Sequence, residues 1–186
     1  MHLPKKDAGV SPRKSLFKQV IHLFDQKENK TVESIKRLSF FQDLPEGDVQ
    51  ALAKKCHIRH FNIEEEIYAE DTPATALYFI ISGSVGIYKK RRSQVTDRIQ
   101  VLQAGKFFGD SSLVSTELRK HSAKAMEKTL VMALFKTDFE LLEQTRPRLA
   151  LKLYKIITNK YYSELTIFQT EFHELSQKVA KDELMK

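Results

Sequence analysis

Cysteine and long apolar segments are nearly absent from this sequence of 186 residues. The single cysteine, Cys56, excludes an internal disulfide framework and is typical of proteins in a reducing compartment, so we predict a cytoplasmic location. No run of about 18 apolar residues occurs, so no segment is expected to span a bilayer. The basic N-terminus, residues 1–15, is not followed by an apolar stretch and therefore does not predict a secretory signal.

The motifs of common enzyme classes are missing as well. The sequence has no Walker lysine motif, no Gly-x-Ser-x-Gly elbow and no His-Glu-x-x-His motif. Asp110 and Glu117 are not a convincing acid–base pair, because Glu117 lies in a predicted loop without a visible partner. Cys56, His57 and His60 are irregularly spaced, and no second cluster completes a tetrahedral metal site. We therefore predict no catalysis, no metal site and no cofactor.

The formal net charge is +7, and the basic excess is concentrated in two places. Residues 1–40 contain nine basic and four acidic residues, and Lys89 to Arg92 form a second cluster. Such clusters can bind nucleic acid or an anionic membrane surface, which is one open interpretation of this chain. No recognisable nucleic-acid-binding motif accompanies them, so we favour a solvated hairpin tip for the second cluster.

The N-terminal third is predicted to be helical after a flexible arm at residues 1–12. A first helix begins at Pro12 and ends near Asn29, and Thr31 caps a second one. Their apolar face is expected to pack on the same chain, with a second copy or a partner as alternatives. A further helix begins at Pro45.

Between Ile58 and Phe135 the sequence is rich in β-branched and aromatic residues, with turn signals at short intervals. This pattern is typical of an antiparallel barrel or sandwich. The seven predicted strands are Ile58–Phe61, Glu66–Ala69, Leu77–Ser82, Gly86–Tyr88, Arg98–Leu102, Ser122–Met126 and Thr129–Phe135. We therefore predict a mainly β fold with flanking helices, an antiparallel β-barrel or jelly roll with N-terminal helices and a long C-terminal helix.

Two helices are predicted after the last strand. Thr137, with Glu140 three residues later, is a candidate N-cap for the first, and Pro147 ends it. The second runs from about Pro147 to Leu184 without an interior glycine or proline. The predicted domains are thus residues 1–37, an arm with helices; residues 38–146, the barrel; and residues 147–186, a helix for dimerisation.

Two apolar stripes divide the long helix. The seam, with steps of three and four residues, comprises Leu151, Tyr154, Thr158, Tyr161, Leu165, Phe168, Phe172, Leu175 and Val179. A second stripe, confined to the first half, comprises Leu149, Leu153, Ile156 and Ile157. We expect the first half to pack on the barrel and the seam to form a homodimer. Packing of the seam on the N-terminal helices of the same chain is the alternative.

The stretch from Phe107 to Ala125 carries the chemistry of a binding site. Gly109 allows a backbone angle or a close approach that a side chain would block. Asp110 and two serines follow it, which suits a tight loop that runs into a short helical turn with free N–H groups for an anion. Arg119 adds a charged fork that matches a phosphate, and Asp110 can accept a hydrogen bond from a ribose hydroxyl. Together these groups predict a nucleotide site.

This stretch resembles the phosphate-binding cassette of cyclic nucleotide-binding domains, as in catabolite activators and regulatory subunits of cAMP-dependent kinases. The family pattern is roughly Phe-Gly-Glu-small-Ala-Leu, a spacer and Pro-Arg-Ala-Ala-Thr-Val, and the sequence aligns with it without a gap. The resemblance extends from about Leu38 to Glu164. It includes the strand pair from Leu77 to Tyr88, in which Gly83 makes the tight turn.

The resemblance also implies roles for individual residues. Gly109 and the backbone N–H groups of Ser111 and Ser112 would hold the cyclic phosphate, Arg119 would pair with it, and Asp110 would take the ribose 2′-OH. Further residues in or beside the cassette are Phe108, Leu113, Lys120 and His121, and the barrel wall would contribute Ile87 and Ile99.

A protein of this family would be a sensor rather than an enzyme. We predict that it binds cAMP, since guanine-selective members often have threonine or serine where Lys120 stands; cGMP is the alternative ligand. The helix after the barrel closes over the base in this family, so the signal would pass through the C-terminal helix to an unknown protein effector. Lys160, Tyr161 and Glu164 lie where that helix would approach the base.

Several positions depart from the family pattern, and they support a second hypothesis. Asp110 replaces a glutamate, Leu118 a proline, Ser112 an alanine, and Lys120 and His121 two small residues. A ligand-free interaction or scaffold module with a degenerate cassette would tolerate such changes. Sequence-specific DNA binding is not expected, because the 22 residues after Glu164 continue the helix and are too few for a winged helix-turn-helix.

Overall fold

Two four-stranded antiparallel sheets form the body of the protein. The structure, a computed structural model, describes residues 26–91 and 96–184. The strands are β1 (Cys56–Phe61), β2 (Glu66–Tyr68), β3 (Ala76–Ser82), β4 (Ser84–Lys90), β5 (Thr96–Gln103), β6 (Phe107–Phe108), β7 (Ser122–Ala125) and β8 (Thr129–Phe135). Their order is β1-β8-β3-β6 in one sheet and β2-β7-β4-β5 in the other. The predicted jelly roll is therefore confirmed.

All seven predicted strands are present, with ends that differ by up to two residues. The eighth, β6, is too short to leave an alternating pattern in the sequence, and it pairs with Tyr78 and Phe79 of β3. Gly83 has a φ of 84° in the turn between β3 and β4, as the tight turn requires.

Side chains alternate along β3 and thereby separate two apolar cores. Leu77 and Phe79 point toward the helices, where they join a large buried cluster. Ile80 lies between the two sheets in a smaller cluster that includes Val85 and Phe108. The site described below lies at the edge of this smaller core.

The helices are α1 (residues 26–37), a short 3-10 helix (Ser39–Phe41), α2 (Glu46–Lys55), α3 (Ser111–Val114), α4 (Lys136–Thr145) and α5 (Pro147–Leu184). The predicted break near Asn29 is wrong, because residues 26–37 form one helix. Thr31 lies inside it and donates its hydroxyl to the carbonyl of Lys27, so it is not a cap. The predicted start at Pro12 lies outside the described residues.

The start of α4 also differs from the prediction. The helix begins at Lys136, its N-cap position is Phe135, and no side chain caps it, so Thr137 lies within the first turn. The predicted bounds of the long helix, Pro147 and Leu184, are confirmed.

The two halves of α5 have different surroundings. Leu149, Leu153 and Ile157 are buried against the large core. Beyond Tyr161 the apolar residues of the seam are exposed; Phe172, for example, is 62% exposed. The first half thus anchors the helix to the barrel, and the second half carries an uncovered apolar stripe.

Candidate functional site

A pocket of about 270 Å³ lies between the β4–β5 edge of the second sheet, the loop after β6 and α5. Nine of the eleven predicted site residues line it: Ile87, Ile99, Phe108, Gly109, Asp110, Ser111, Arg119, Lys120 and His121. The other lining residues are Tyr68, Gln100, Leu102, Lys160, Tyr161 and Glu164. Ser112 and Leu113 are buried outside it, and Leu113 packs in the large core.

The backbone at Gly109 allows the loop and Arg119 to come together. Its φ is 74°, and a Cβ atom there would lie 2.9 Å from Nη1 of Arg119 and 3.0 Å from the carbonyl oxygen of Ala76. Any larger residue at this position would displace the guanidinium or the neighbouring strand, so glycine is required for both conformation and space.

The turn that follows uses one of the predicted phosphate donors. The backbone N–H of Ser112 donates to the backbone carbonyl of Gly109 at 3.2 Å, and the N–H of Leu113 donates to the backbone carbonyl of Asp110 at 3.0 Å. The N–H of Ser112 is therefore already engaged within α3, although the family resemblance assigns it to the phosphate. The hydroxyl of Ser112 is buried and has no partner among the described residues.

Arg119 is only 3% exposed and is fixed by the backbone around it. Its Nη1 donates to the carbonyl of Gly109 at 2.9 Å, and its Nη2 donates to that of Ala76 at 2.7 Å. Its Nε is buried and, within residues 26–91 and 96–184, has no hydrogen-bond partner. Burial lowers the pKa of Arg119, although an arginine remains protonated at any physiological pH. A fixed positive charge thus lies at the pocket, and its Nε–H has no partner among the described residues.

Asp110 is the anionic counterpart, and it is 4% exposed. Its Oδ1 accepts a hydrogen bond from Nζ of Lys160 on α5 at 2.8 Å. Its Oδ2 is buried and has no partner in the described part of the chain. Burial, followed by the charge of the nearby Asp110 carboxylate and the approach of the phenol to it, raises the pKa of Tyr161. Oδ2 can therefore accept a hydroxyl, either from Tyr161 or from a ligand.

Lys160 joins the long helix to this loop. Besides its bond to Asp110, its Nζ lies 3.9 Å from a carboxylate oxygen of Glu164 and 5.1 Å from the centroid of the Phe107 ring. The side chain is about a quarter exposed, so solvent screens these contacts only partly. Lys160 thus connects the pocket directly to α5.

His121 lies on the other side of the pocket, beside a pair of charges. Burial, together with the charge of Lys89, lowers the pKa of His121, and Glu70 opposes this effect. Lys89 pairs with Glu70 and also donates to the carbonyl of Lys120 at 2.8 Å. Lys89 is therefore paired beside the pocket without lining it, and its side chain is 45% exposed. Arg91 pairs with Asp97, and Arg92 lies outside the described residues.

A second cleft of about 480 Å³ adjoins the pocket, and Gln100, Leu102, Lys160 and Glu164 line both. The second cleft is mostly apolar, with Phe40, Phe107 and Ile167 in its walls. The buried polar atoms without partners that the structure describes belong to Asp110, Ser112 and Arg119, and none of these residues lines it. The binding chemistry is therefore concentrated in the smaller pocket.

No group of histidine, cysteine and acidic side chains within the described ranges could hold a metal ion. Likewise, none of the helices in those ranges is both long and apolar enough to cross a membrane.

Sequence reasoning missed Tyr68 entirely and left Lys160 without a contact. Tyr68 ends the three-residue strand β2, outside every motif, yet its ring lies 4.2 Å from Cζ of Arg119. Lys160 and Asp110 are 50 positions apart and carry no joint pattern. A folded chain was needed to bring either pair together.

Comparisons with known proteins give a consistent result. The family model described as the cyclic nucleotide-binding domain matches residues 58–146. A Rhodopseudomonas palustris protein named as a potassium channel protein is 28% identical over 149 residues, which cover 77% of this chain and 34% of that protein. The cyclic AMP receptor protein of Thermus thermophilus is 28% identical over 115 residues, or 61% of this chain and 53% of the receptor.

The chain therefore spans about a third to a half of the length of these curated relatives. Among solved structures, the catabolite activator protein of Thermus thermophilus matches with a TM-score of 0.60 and 25% sequence identity. The match covers 72% of this chain and 63% of that one.

Proposed function

We propose that this chain is a regulatory sensor of the cyclic nucleotide-binding domain family, whose model matches residues 58–146, and that it binds cAMP. Guanine is less favoured, because Lys120 follows the arginine of the cassette. The cyclic AMP receptor protein of Thermus thermophilus, which this chain resembles, supports the choice of ligand. The role is regulatory rather than catalytic, and a single cysteine favours a cytoplasmic location.

One observation carries the proposal: a buried carboxylate and a buried guanidinium line the same pocket, each with one unpartnered polar atom. A buried polar group without a hydrogen bond is costly, so such atoms mark places where a ligand can supply the partner. A phosphate oxygen suits Nε of Arg119, and a ribose 2′-OH suits Oδ2 of Asp110. A cyclic nucleotide presents both groups on one rigid ring system.

The base would extend from the ribose toward α5. Ile87 and Ile99 provide apolar contact from the barrel wall, and Tyr161 provides an aromatic surface on the helix. Because Lys160 holds Oδ1 of Asp110 while Oδ2 is free, ribose and helix can share one carboxylate. Ligand binding would thereby strengthen the attachment of α5 and pass the signal to a protein effector.

The exposed seam of α5 is the surface that we propose for self-association. Tyr161, Leu165, Phe168, Phe172 and Leu175 are all more than two-fifths exposed, and they follow heptad spacing. A second copy of the same helix presents the same seam, so two chains would cover each other's stripe.

A scaffold without ligand is the second candidate function, and one observation favours it. Both terminal nitrogens of Arg119 bond to backbone carbonyls, and Asp110 already has Lys160 as a partner. A degenerate cassette that is stabilised by its own chain would have these contacts.

Isothermal titration calorimetry with cAMP, cGMP and 5′-AMP distinguishes the two. We expect saturable binding of a cyclic nucleotide, with cAMP preferred, and no binding of 5′-AMP. Arg119→Lys keeps the cation but loses the planar fork, and it should weaken cAMP binding by about 10- to 100-fold. Arg148→Lys, at the exposed start of α5, is the matched control. No binding by the wild-type chain at millimolar nucleotide would end the sensor proposal and favour the scaffold.

A further inference from the structure

Tyr68 forms part of the pocket although no sequence motif includes it. It ends β2, lines the pocket and lies next to two other aromatic rings, with centroids 5.9 Å from both Tyr78 and Phe108. Cζ of Arg119 lies over the Tyr68 ring, 4.2 Å from its centroid, whereas the Tyr78 ring is 6.0 Å away. Tyr68 is therefore the aromatic ring in closest contact with the guanidinium in the described structure.

The orientation of the guanidinium determines how it can meet a phosphate. The group is planar, and its donors lie in that plane, so a tilt misdirects all of them together. Two carbonyls, those of Gly109 and Ala76, hold the terminal nitrogens from within the plane. Cζ lies over the Tyr68 ring, so the ring restricts movement of the guanidinium on that side. The two carbonyls and the Tyr68 ring thus hold the guanidinium, and its Nε–H has no partner in the described structure.

Tyr68 also leaves the charge of Arg119 available. Burial raises the pKa of Tyr68 to about 12, with the nearby Arg119 charge opposing the shift, so the phenol is neutral at physiological pH. The ring attracts the cation through its π face and contributes no counter-charge. A carboxylate in the same place would hold the arginine equally well but would neutralise it, and the phosphate would lose its electrostatic partner.

We propose that Tyr68 is a positioning residue for Arg119, which fixes the guanidinium plane and thereby decides which oxygen of the cyclic phosphate it binds. The inference rests on the proposed function and deepens it, since it concerns how the same site distinguishes the two exocyclic oxygens of the phosphate. Tyr68 itself need not touch the ligand.

The test uses the two phosphorothioate diastereomers of cAMP, Sp and Rp, in which sulfur replaces one or the other exocyclic oxygen. A well-oriented arginine discriminates between them, so the ratio of their dissociation constants reports its geometry. For the full chain we expect Tyr68→Phe to keep both the affinity for cAMP and this ratio. Tyr68→Leu should weaken cAMP binding by about 10-fold, the size of a desolvated cation–π contact, and bring the ratio toward one.

Pentafluorophenylalanine introduced at position 68 serves where Tyr68→Leu fails to fold. It keeps the shape of the ring but reverses its quadrupole, so a cation–π role predicts the same loss and the same change of ratio. Equal loss for both diastereomers, or no loss, would overturn the inference and leave Tyr68 as a packing residue. A wild-type chain that binds no cyclic nucleotide would instead refute the proposed function, and the inference with it.

Discussion

Arg119 holds the cassette together as well as offering a donor to a ligand. Its bonds to Gly109 and Ala76 connect the loop after β6 to β3. The sequence shows only the binding role of Arg119, and from this role we predict that Arg119→Ala weakens binding strongly without unfolding the domain. Removal of the side chain would in fact take a charged donor from the carbonyls of Gly109 and Ala76, although Gly109 would keep the N–H of Ser112, and an unmade buried hydrogen bond costs about 1–3 kcal/mol. Lysine is therefore the more informative substitution at this position.

We predict that the binding of cAMP depends on pH through His121. Its pKa is lowered by burial and by Lys89, so the imidazole is neutral at pH 7. A bound phosphate would raise that pKa again, and a group whose pKa rises on binding strengthens binding as the pH falls. We expect the affinity to increase by about two- to fivefold between about pH 7.5 and 5.5, a size typical of partly exposed ion pairs.

Calorimetry across this range measures the effect, and His121→Gln should remove it while leaving the affinity at pH 7.5 nearly unchanged. Glu70, which faces His121 together with Lys89, should stay charged throughout, since hydrogen bonds with Lys89 and with the backbone of Lys90 lower the pKa of Glu70. A pH profile that is the same in the variant would assign the titration to another group.

Among the elements, α5 and the loop after β6 are joined by the ion pair between Lys160 and Asp110. Without Lys160, the carboxylate of Asp110, which is 4% exposed, would have no positively charged partner on α5. An unpaired charge is costly in such a buried place, so the loop that presents Oδ2 to the ribose hydroxyl would be destabilised. The helix would also lose its polar contact with the pocket.

We therefore predict that Lys160→Met weakens cAMP binding by about fivefold, less than a fully buried ion pair would give, because Lys160 is partly solvated. With cAMP present, backbone hydrogen exchange at residues 157–165 should also be faster in this variant than in the wild-type chain. Lys155→Met, an exposed position on the same helix, is the control. Tighter binding by Lys160→Met would mean that the lysine competes with the ribose instead of supporting it.

At the scale of the whole molecule, the uncovered half of α5 is the feature that the monomer leaves unexplained. Phe168 and Phe172 stack on each other with centroids 6.1 Å apart, and each is more than 60% exposed. Apolar stripes of this kind are usually covered by a partner in solution. The heptad spacing favours a second copy of the helix.

Sedimentation equilibrium of the full chain tests this arrangement. We expect a dimer, and Phe172→Glu should raise its dissociation constant by more than about tenfold, since two apolar side chains are lost per dimer. Thr166→Glu places the same charge outside the seam and should leave the dimer intact. A monomeric wild-type chain would assign the stripe to a different partner.

Most strands and the long helix could be predicted from the sequence, because the patterns that indicate them involve residues close together in the chain. Alternating side chains defined seven strands, and the absence of glycine and proline after Pro147 defined α5. Helix starts were less predictable. Thr31 looked like a cap, but it is 1% exposed and packs on the core within α1, so tertiary contacts outweighed its local preference.

The fold and the cassette could be read from the order of residues alone, because Gly109 and Arg119 are only ten positions apart. The partners of these residues depend on how distant parts of the chain pack. Tyr68 covers the guanidinium, Ala76 accepts from it, and Lys160 holds Asp110. These contacts join residues 43 to 51 positions apart, and no periodicity connects positions that meet only when the two sheets and α5 pack together.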